Sequence, residues 1–300
     1  MNLDIYHPDL RGIARWIPRS PVSARRLRLM RTFDRLREPR RAKDVTVEAV
    51  GPISVRTYRS AATVPSPALL WIHGGGYVIG TAALDDALCR HFAHELGIVV
   101  ASVDYRLAPE HPFPTPLHDC YRALTWLAER PDVDATRIAI GGASAGAGLA
   151  AALALLARER EEIRPAFQLL AYPMLDDRTT TRTDIDETHI RGWNKTANRY
   201  GWQSYLNAVP GSAGISPLAA PARCVDLSGL PLAWMGVGKL DLFYDEDIAY
   251  ANRLTAAGVA CEQLVIDGAF HGFDLARPGA GVSREFRAAQ TKALAAALAY

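Results

Sequence analysis

Little in this 300-residue chain would take it into a membrane or across one. The first 20 residues hold Asp4, Asp9, Arg11, Arg15 and Arg19 and no unbroken apolar core, so they do not read as a secretory leader. No apolar run approaches the ~20 residues that span a bilayer, and the alanine-rich stretch at 145–157 is too short. Cysteine is scarce. Cys89, Cys120, Cys224 and Cys261 are widely spaced and form no C-x-x-C pair, which argues against a disulfide framework or a zinc cluster and for reduced thiols. The expected compartment is the cytoplasm.

Net charge is low as well, +2 from 34 Lys and Arg against 32 Asp and Glu, which leaves no electrostatic footprint for nucleic acid. The basic residues crowd into the first 43 positions, 12 against 4 acidic ones. In Ala24-Arg25-Arg26-Leu27-Arg28-Leu29-Met30-Arg31 they are interspersed with apolar residues at helical spacing, so a solvated helix face is expected, with transient contact to a lipid surface the less favoured account. His91 and His94 stand three apart on an expected helix, but no carboxylate or cysteine cluster completes a metal site; both are expected to be exposed, and no metal is implied. No G-x-x-x-x-G-K-[ST] run is present, nor G-x-G-x-x-G with a ribose-binding acid, and no cofactor is expected.

What is present is a serine inside G-x-S-x-G, in Ile138-Ala139-Ile140-Gly141-Gly142-Ala143-Ser144-Ala145-Gly146-Ala147-Gly148. A short apolar run precedes it and a small-residue stretch to Arg160 follows, as a strand turning abruptly into a helix would read. Such a turn strains the serine backbone and needs room two residues to either side, which Gly142 and Gly146 supply. The serine oxygen then stands at a helix N-terminus, where backbone N–H groups favour developing negative charge. By itself the motif is weak, with on the order of 0.1 chance matches in a chain this long.

A nucleophilic serine needs a base, an acid to orient the base, and N–H donors for an oxyanion. Two histidines follow Ser144. His271 lies in Asp-Gly-Ala-Phe-His-Gly-Phe, just after the apolar run Cys261–Ile266, and is the expected base; His189 lies in a charged segment. Asp241 follows the apolar run Pro231–Val237 and is the expected acid. Asp245, Glu246 and Asp247 open the next helix, where the macrodipole alone accounts for acidic residues. Upstream, the apolar run Ala68–Ile72 leads into His73-Gly74-Gly75-Gly76-Tyr77. Gly75 and Gly76, with Ala145 after the serine, are the expected oxyanion donors, while His73 and Gly74 shape the loop.

These residues resemble the hormone-sensitive-lipase group of α/β-hydrolases, many of them bacterial carboxylesterases. The likeness spans roughly residues 45–300. It rests on His73-Gly74-Gly75-Gly76, on Asp104-Tyr105-Arg106-Leu107-Ala108-Pro109-Glu110-His111-Pro112-Phe113-Pro114, on the serine turn, on Asp241 with Asp245-Glu246, and on His271-Gly272-Phe273. The resemblance implies a serine carboxylesterase acting on short- to medium-chain acyl esters through an acyl-enzyme, in a monomer or homodimer. An amide, lactone or thioester hydrolase would use the same groups, and a non-catalytic ligand-binding protein would keep the pocket. Two positions depart from the pattern: Ala143 stands where many members carry Asp, and Leu242 where many carry Pro. Neither supplies a triad atom, so both bear on rate and subgroup.

At 49% hydrophobic residues the chain can bury one large α/β core. Strands are expected near 45–50, 53–59, 68–73, 98–103, 137–141, 166–172, 231–237 and 260–266. Helices are expected near 85–96, 117–129, 145–160, 245–257 and 283–299. The alternation predicts a mostly parallel central sheet flanked by helices, with a hairpin about Gly51-Pro52 at the sheet edge, and the resemblance implies that this is an α/β-hydrolase fold. Residues 44–173 and 216–300 form the expected catalytic domain. The insertion 174–215 holds far more residues than a simple crossover needs, which reads as a lid. The resemblance implies that residues 1–43 and this insertion build a helical cap over the active site, which Trp16, Ile17, Leu29, Trp193, Tyr200, Trp202 and Tyr205 suit.

Overall fold

Side chains alternate across the central strands, and this is what divides the interior into two layers. In the computed structural model, which describes residues 2–19, 22, 27–37, 45–59 and 65–299, Leu70 and Ile72 of β3 (Ser66–Ile72) face one layer and Leu69 and Trp71 the other. All four are buried, as the two-residue period requires of a strand covered on both faces.

The other strands are β1 (Val45–Val50), β2 (Ile53–Tyr58), β4 (Val99–Asp104), β5 (Val133–Ala143), β6 (Phe167–Ala171), β7 (Leu232–Leu240) and β8 (Cys261–Phe270). They form one eight-stranded sheet in the order β1-β2-β4-β3-β5-β6-β7-β8. The β1–β2 hairpin turns at Gly51, whose φ of 63° suits glycine, and β2 also pairs antiparallel with β4. Every pairing from β4 through β8 is parallel.

The helices are α1 (Arg11–Ala14), α2 (Leu27–Arg37), α3 (Asp86–Leu96), α4 (Thr115–Ala128), α5 (Ala145–Arg160), α6 (Lys195–Leu206), α7 (Tyr244–Ala256), α8 (Phe273–Ala276) and α9 (Gly281–Leu298). Helices α4 and α5 bury their apolar residues in one layer, and α3 and α9 in the other. The mostly parallel sheet expected from the alternation is the one observed, in the α/β-hydrolase arrangement that the resemblance implies.

Several features differ from expectation. Helix α6 was not among the expected helices; it buries Ala197, Asn198, Gly201, Trp202 and Tyr205 on one face, and the Asn194 side chain caps it by accepting from the Ala197 N–H. Strand β8 runs on past Ile266 through Asp267-Gly268, since the His7 N–H donates to the Gly268 carbonyl and the N-terminal segment lies against it. His91 is half-buried, its Nε2 3.0 Å from Thr291 Oγ1, and so is not an exposed helix residue.

Residues 24–26 of the basic run lie outside the described residues. Further along, Arg28 is exposed, but Arg31 is not a solvated face. Its guanidinium donates to the carbonyls of Val78 and Ala108 and pairs with both oxygens of Glu110 at 2.9 and 2.8 Å. Trp16 and Leu29 point to solvent, 74% and 66% exposed.

Candidate active site

Parallel strands all end on the same side of a sheet, so residues that follow β3, β5, β7 and β8 meet there. Ser144 follows β5 in a sparsely populated conformation, φ 56° and ψ −123°. Its own N–H donates to the Ala171 carbonyl at 2.9 Å, and its carbonyl accepts from Gly148 and Met174. The flanking glycines are required by the end of β3: a Cβ on Gly142 would lie 2.4 Å from the Ile72 carbonyl oxygen, and one on Gly146 2.0 Å from the same atom. The G-x-S-x-G spacing therefore lets the serine turn sit against a neighbouring strand.

His271 follows β8, and its Nε2 is 2.9 Å from Ser144 Oγ. Its Nδ1 is 2.8 Å from Asp241 Oδ2, at the end of β7. A carboxylate only accepts, so Nδ1 carries the proton and the bare Nε2 accepts from the serine hydroxyl. Asp241 Oδ1 takes a second bond from the Phe243 N–H at 3.0 Å. All three side chains are buried, and Phe243 and Tyr172 meet the imidazole edge to face at 5.2 and 5.0 Å.

The glycine loop after β3 adjoins the serine, since a Cβ on Gly74 would fall 3.3 Å from Ser144 Cβ. Gly75 and Gly76 have φ of 117° and 59°, and the Gly75 carbonyl accepts from Val78 and Ile79. Tyr105 stacks on the buried His73 ring and donates to the His73 carbonyl at 3.0 Å, which ties this loop to the proline-rich stretch after β4. The N–H groups of Gly75, Gly76 and Ala145 donate to no protein acceptor among the described residues.

Residues of the 174–215 insertion reach this loop directly. The Trp193 ring packs on Gly76, where a Cβ would meet Cη2 at 2.1 Å, and lies 6.4 Å from the His271 ring. A Cβ on Gly201 of α6 would be 2.8 Å from the Gly76 carbonyl oxygen. Tyr205 stacks on Tyr77 with ring centres 4.0 Å apart. The N-terminal segment joins in, with the Gly192 N–H donating to the Pro18 carbonyl at 3.0 Å.

The acidic residues that open α7 are not a solvated first turn. Asp245 is half-exposed and pairs with Arg182 at 2.8 Å, but Glu246 and Asp247 are buried. Glu246 accepts from the Leu175 and Asp176 N–H groups and from the Thr179 hydroxyl, fixing the start of the insertion. Burial pushes its pKa up to about 8 against those hydrogen bonds. Asp247 is pushed well above the carboxylate range, by burial first and then by the charges of Glu246 and Asp241. Helix periodicity could have flagged both, since Glu246 and Asp247 share a face with the buried Tyr250, Ala251 and Leu254.

Among the described residues no group of three or more His, Cys, Asp or Glu side chains is arranged to hold a metal ion. A family model described as the alpha/beta hydrolase fold matches residues 69–275. Ethyl acetate hydrolase of Pseudomonas putida is 35% identical over 228 residues, 74% of this chain and 71% of its own. Carboxylic ester hydrolase LipN of Mycobacterium tuberculosis is 36% identical over 236 residues, 74% of this chain and 61% of its own. Among solved structures, a bacterial heroin esterase superposes over 100% of both chains with a TM-score of 0.90 and 36% identity. Esterase LipW of Mycobacterium marinum covers 100% of this chain and 98% of its own, with a TM-score of 0.88 and 34% identity.

Proposed function

The chain belongs to the hormone-sensitive-lipase-like group of α/β-hydrolases and is a carboxylic ester hydrolase, and from that premise we propose that Ser144 is its nucleophile, His271 its general base and acid, and Asp241 the carboxylate that orients the base. The observation that carries this is the unbroken pair of hydrogen bonds from Ser144 Oγ through the imidazole to Asp241, at 2.9 and 2.8 Å.

Ser144 Oγ adds to the ester carbonyl carbon as its proton passes to His271 Nε2. The negative charge that develops on the carbonyl oxygen meets the N–H groups of Gly75, Gly76 and Ala145, while Asp241 stabilises the imidazolium. Collapse of the tetrahedral intermediate breaks the ester C–O bond, and His271 gives its proton to the departing alcohol oxygen. Water then adds to the acyl-enzyme, its proton taken by the same Nε2, and a second collapse frees the acid and restores the serine.

Short- to medium-chain acyl esters suit this site. Trp193 stands against both Gly76 and His271 and limits the room beside the oxyanion loop, and a relative named for ethyl acetate supports small esters. Residues 1–43 and 174–215 are assigned to a cap over a catalytic domain of 44–173 and 216–300. A cytoplasmic monomer or homodimer is the accompanying assignment, supported by four free cysteines.

Hydrolysis of p-nitrophenyl esters from acetate to palmitate, by the wild type beside Ser144→Ala, tests the proposal. Activity peaking at two to eight acyl carbons and falling at least ~10³-fold in the variant is expected. Near-normal turnover by Ser144→Ala overturns the assignment.

A further inference from the structure

Tyr172 follows β6 with φ 37°, a left-handed conformation that residues with a Cβ rarely adopt. Five contacts, four of its own and one of the preceding residue, hold it there. Its N–H donates to the Gly236 carbonyl at 2.7 Å, and the preceding Ala171 carbonyl accepts the Ser144 N–H at 2.9 Å. Its ring meets the His271 ring edge to face at 5.0 Å and stacks on Phe286 at 6.1 Å. Its hydroxyl donates to Asp274 Oδ1 at 2.8 Å.

Asp274 is three residues beyond His271, on α8, with the left-handed Gly272 between them. The Tyr172–Asp274 bond therefore runs from the strand end that holds the nucleophile's N–H to the loop that carries the base. It forms a second bridge between nucleophile and base, besides the Ser144–His271 bond. Burial raises the Asp274 pKa, and the Tyr172 hydroxyl, the Asp274 and Leu275 N–H groups and the charge of His271 act against that rise. The hydroxyl and the half-buried carboxyl so placed make a side-chain hydrogen bond at normal length.

We propose that Tyr172 and Asp274 are positioning residues, whose hydrogen bond fixes the His271 loop at bonding distance from Ser144. This rests on the assignment of Ser144 and His271 above. The bridge touches no substrate atom in that assignment, so its loss is expected in kcat and not in KM.

The test compares Tyr172→Phe, Asp274→Ala, Asp274→Asn and the double variant Tyr172→Phe/Asp274→Ala, each on p-nitrophenyl acetate, with active sites counted by a fluorophosphonate probe. Tyr172→Phe keeps the ring and loses the bond, and Asp274→Ala loses the acceptor; each is expected to lower kcat about tenfold with KM within about twofold. Asp274→Asn keeps an acceptor oxygen for the hydroxyl and is expected to recover most of the loss. The double variant is expected to be no slower than the slower single one, because both remove the same bond. Equal losses in Asp274→Ala and Asp274→Asn, losses that multiply in the double variant, or a full kcat in Tyr172→Phe overturn the bridge. Hydrolysis that survives Ser144→Ala is a separate failure, of the nucleophile itself, and removes the basis of the bridge with it.

Discussion

Replacing Trp193 with alanine separates a wall that limits the substrate from a prop that supports the loop. The indole is 4% exposed, its ring edge rests on Gly76, and its N–H reaches Asn198 Oδ1 at 3.3 Å. Removing it opens apolar space between the oxyanion loop and His271. Each acyl methylene that newly fits gains up to ~0.8 kcal/mol of burial, about fourfold in kcat/KM. Two further methylenes are then worth roughly tenfold or more. The assay is kcat/KM across p-nitrophenyl acetate to decanoate for wild type, Trp193→Ala and Trp193→Phe. The octanoate-to-acetate ratio is expected to rise at least ~10-fold in the alanine variant, with Phe between. Stability should fall by about 3–5 kcal/mol, as for other buried aromatic truncations, so rates are taken well below the midpoint of unfolding. If the whole series drops by one common factor, the ring serves only to support the loop and the wall is refuted.

Three further outcomes follow from contacts around the same loop. Gly76→Ala places a Cβ inside the Trp193 ring at a φ of 59° that alanine resists, and kcat should fall about 10²–10³-fold, the scale of losing one oxyanion donor; a loss of less than tenfold excludes Gly76 from the hole. Gly201→Ala sets a gain in helix propensity of ~1 kcal/mol against a Cβ 2.8 Å from the Gly76 carbonyl oxygen. Activity should therefore fall while the melting temperature stays nearly level, and unchanged kcat would mean that α6 yields without moving the loop. Glu246 has a folded-state pKa raised to about 8 from 4.5, so between those values the folded protein holds a proton that the unfolded chain releases. Stability is then lost as pH rises through this window, at ~1.4 kcal/mol per unit in the limit. Glu246→Gln should gain on the wild type between pH 5 and pH 8 in urea unfolding, and a pH-independent difference would show that Glu246 is ionised when folded.

That Ser144, Asp241 and His271 would meet was legible because each follows an apolar run that ends where a parallel strand must end, and because glycines mark the turns at Ser144 and His271. The hairpin at Gly51-Pro52 and the span of α5 were legible from the same local signals. What was not legible depends on pairs far apart in the chain. Tyr172 looks like the last residue of a buried strand; its left-handed backbone follows from Gly236, Ser144 and Asp274, none of them nearby in sequence. Glu246 looks like a dipole-favoured acid until Leu175, Asp176 and Thr179 are brought to it. Arg31 looks solvated until its partners, 47 to 79 residues later, fold against it.

The insertion was expected to behave as a cap or lid, and its contacts bear on how a substrate can enter. Trp193, Trp202 and Tyr205 are all buried, packed on Gly76, Tyr77 and Phe113. An aromatic side chain of this kind buries ~150–250 Å², worth about 4–6 kcal/mol each at ~25 cal/mol per Å². Lifting the three together would cost on the order of 10 kcal/mol, comparable to the 5–15 kcal/mol that separates a typical folded domain from its unfolded chain. Rigid movement of α6 together with Trp193 is therefore expected to be a costly way to open the site. The same packing lies against Gly76 in its left-handed turn, so a lid that swung away would leave the glycine loop without the contacts it rests on. Substrate entry is therefore expected to use smaller motions around Trp193, with the insertion staying packed on the Gly75-Gly76 loop.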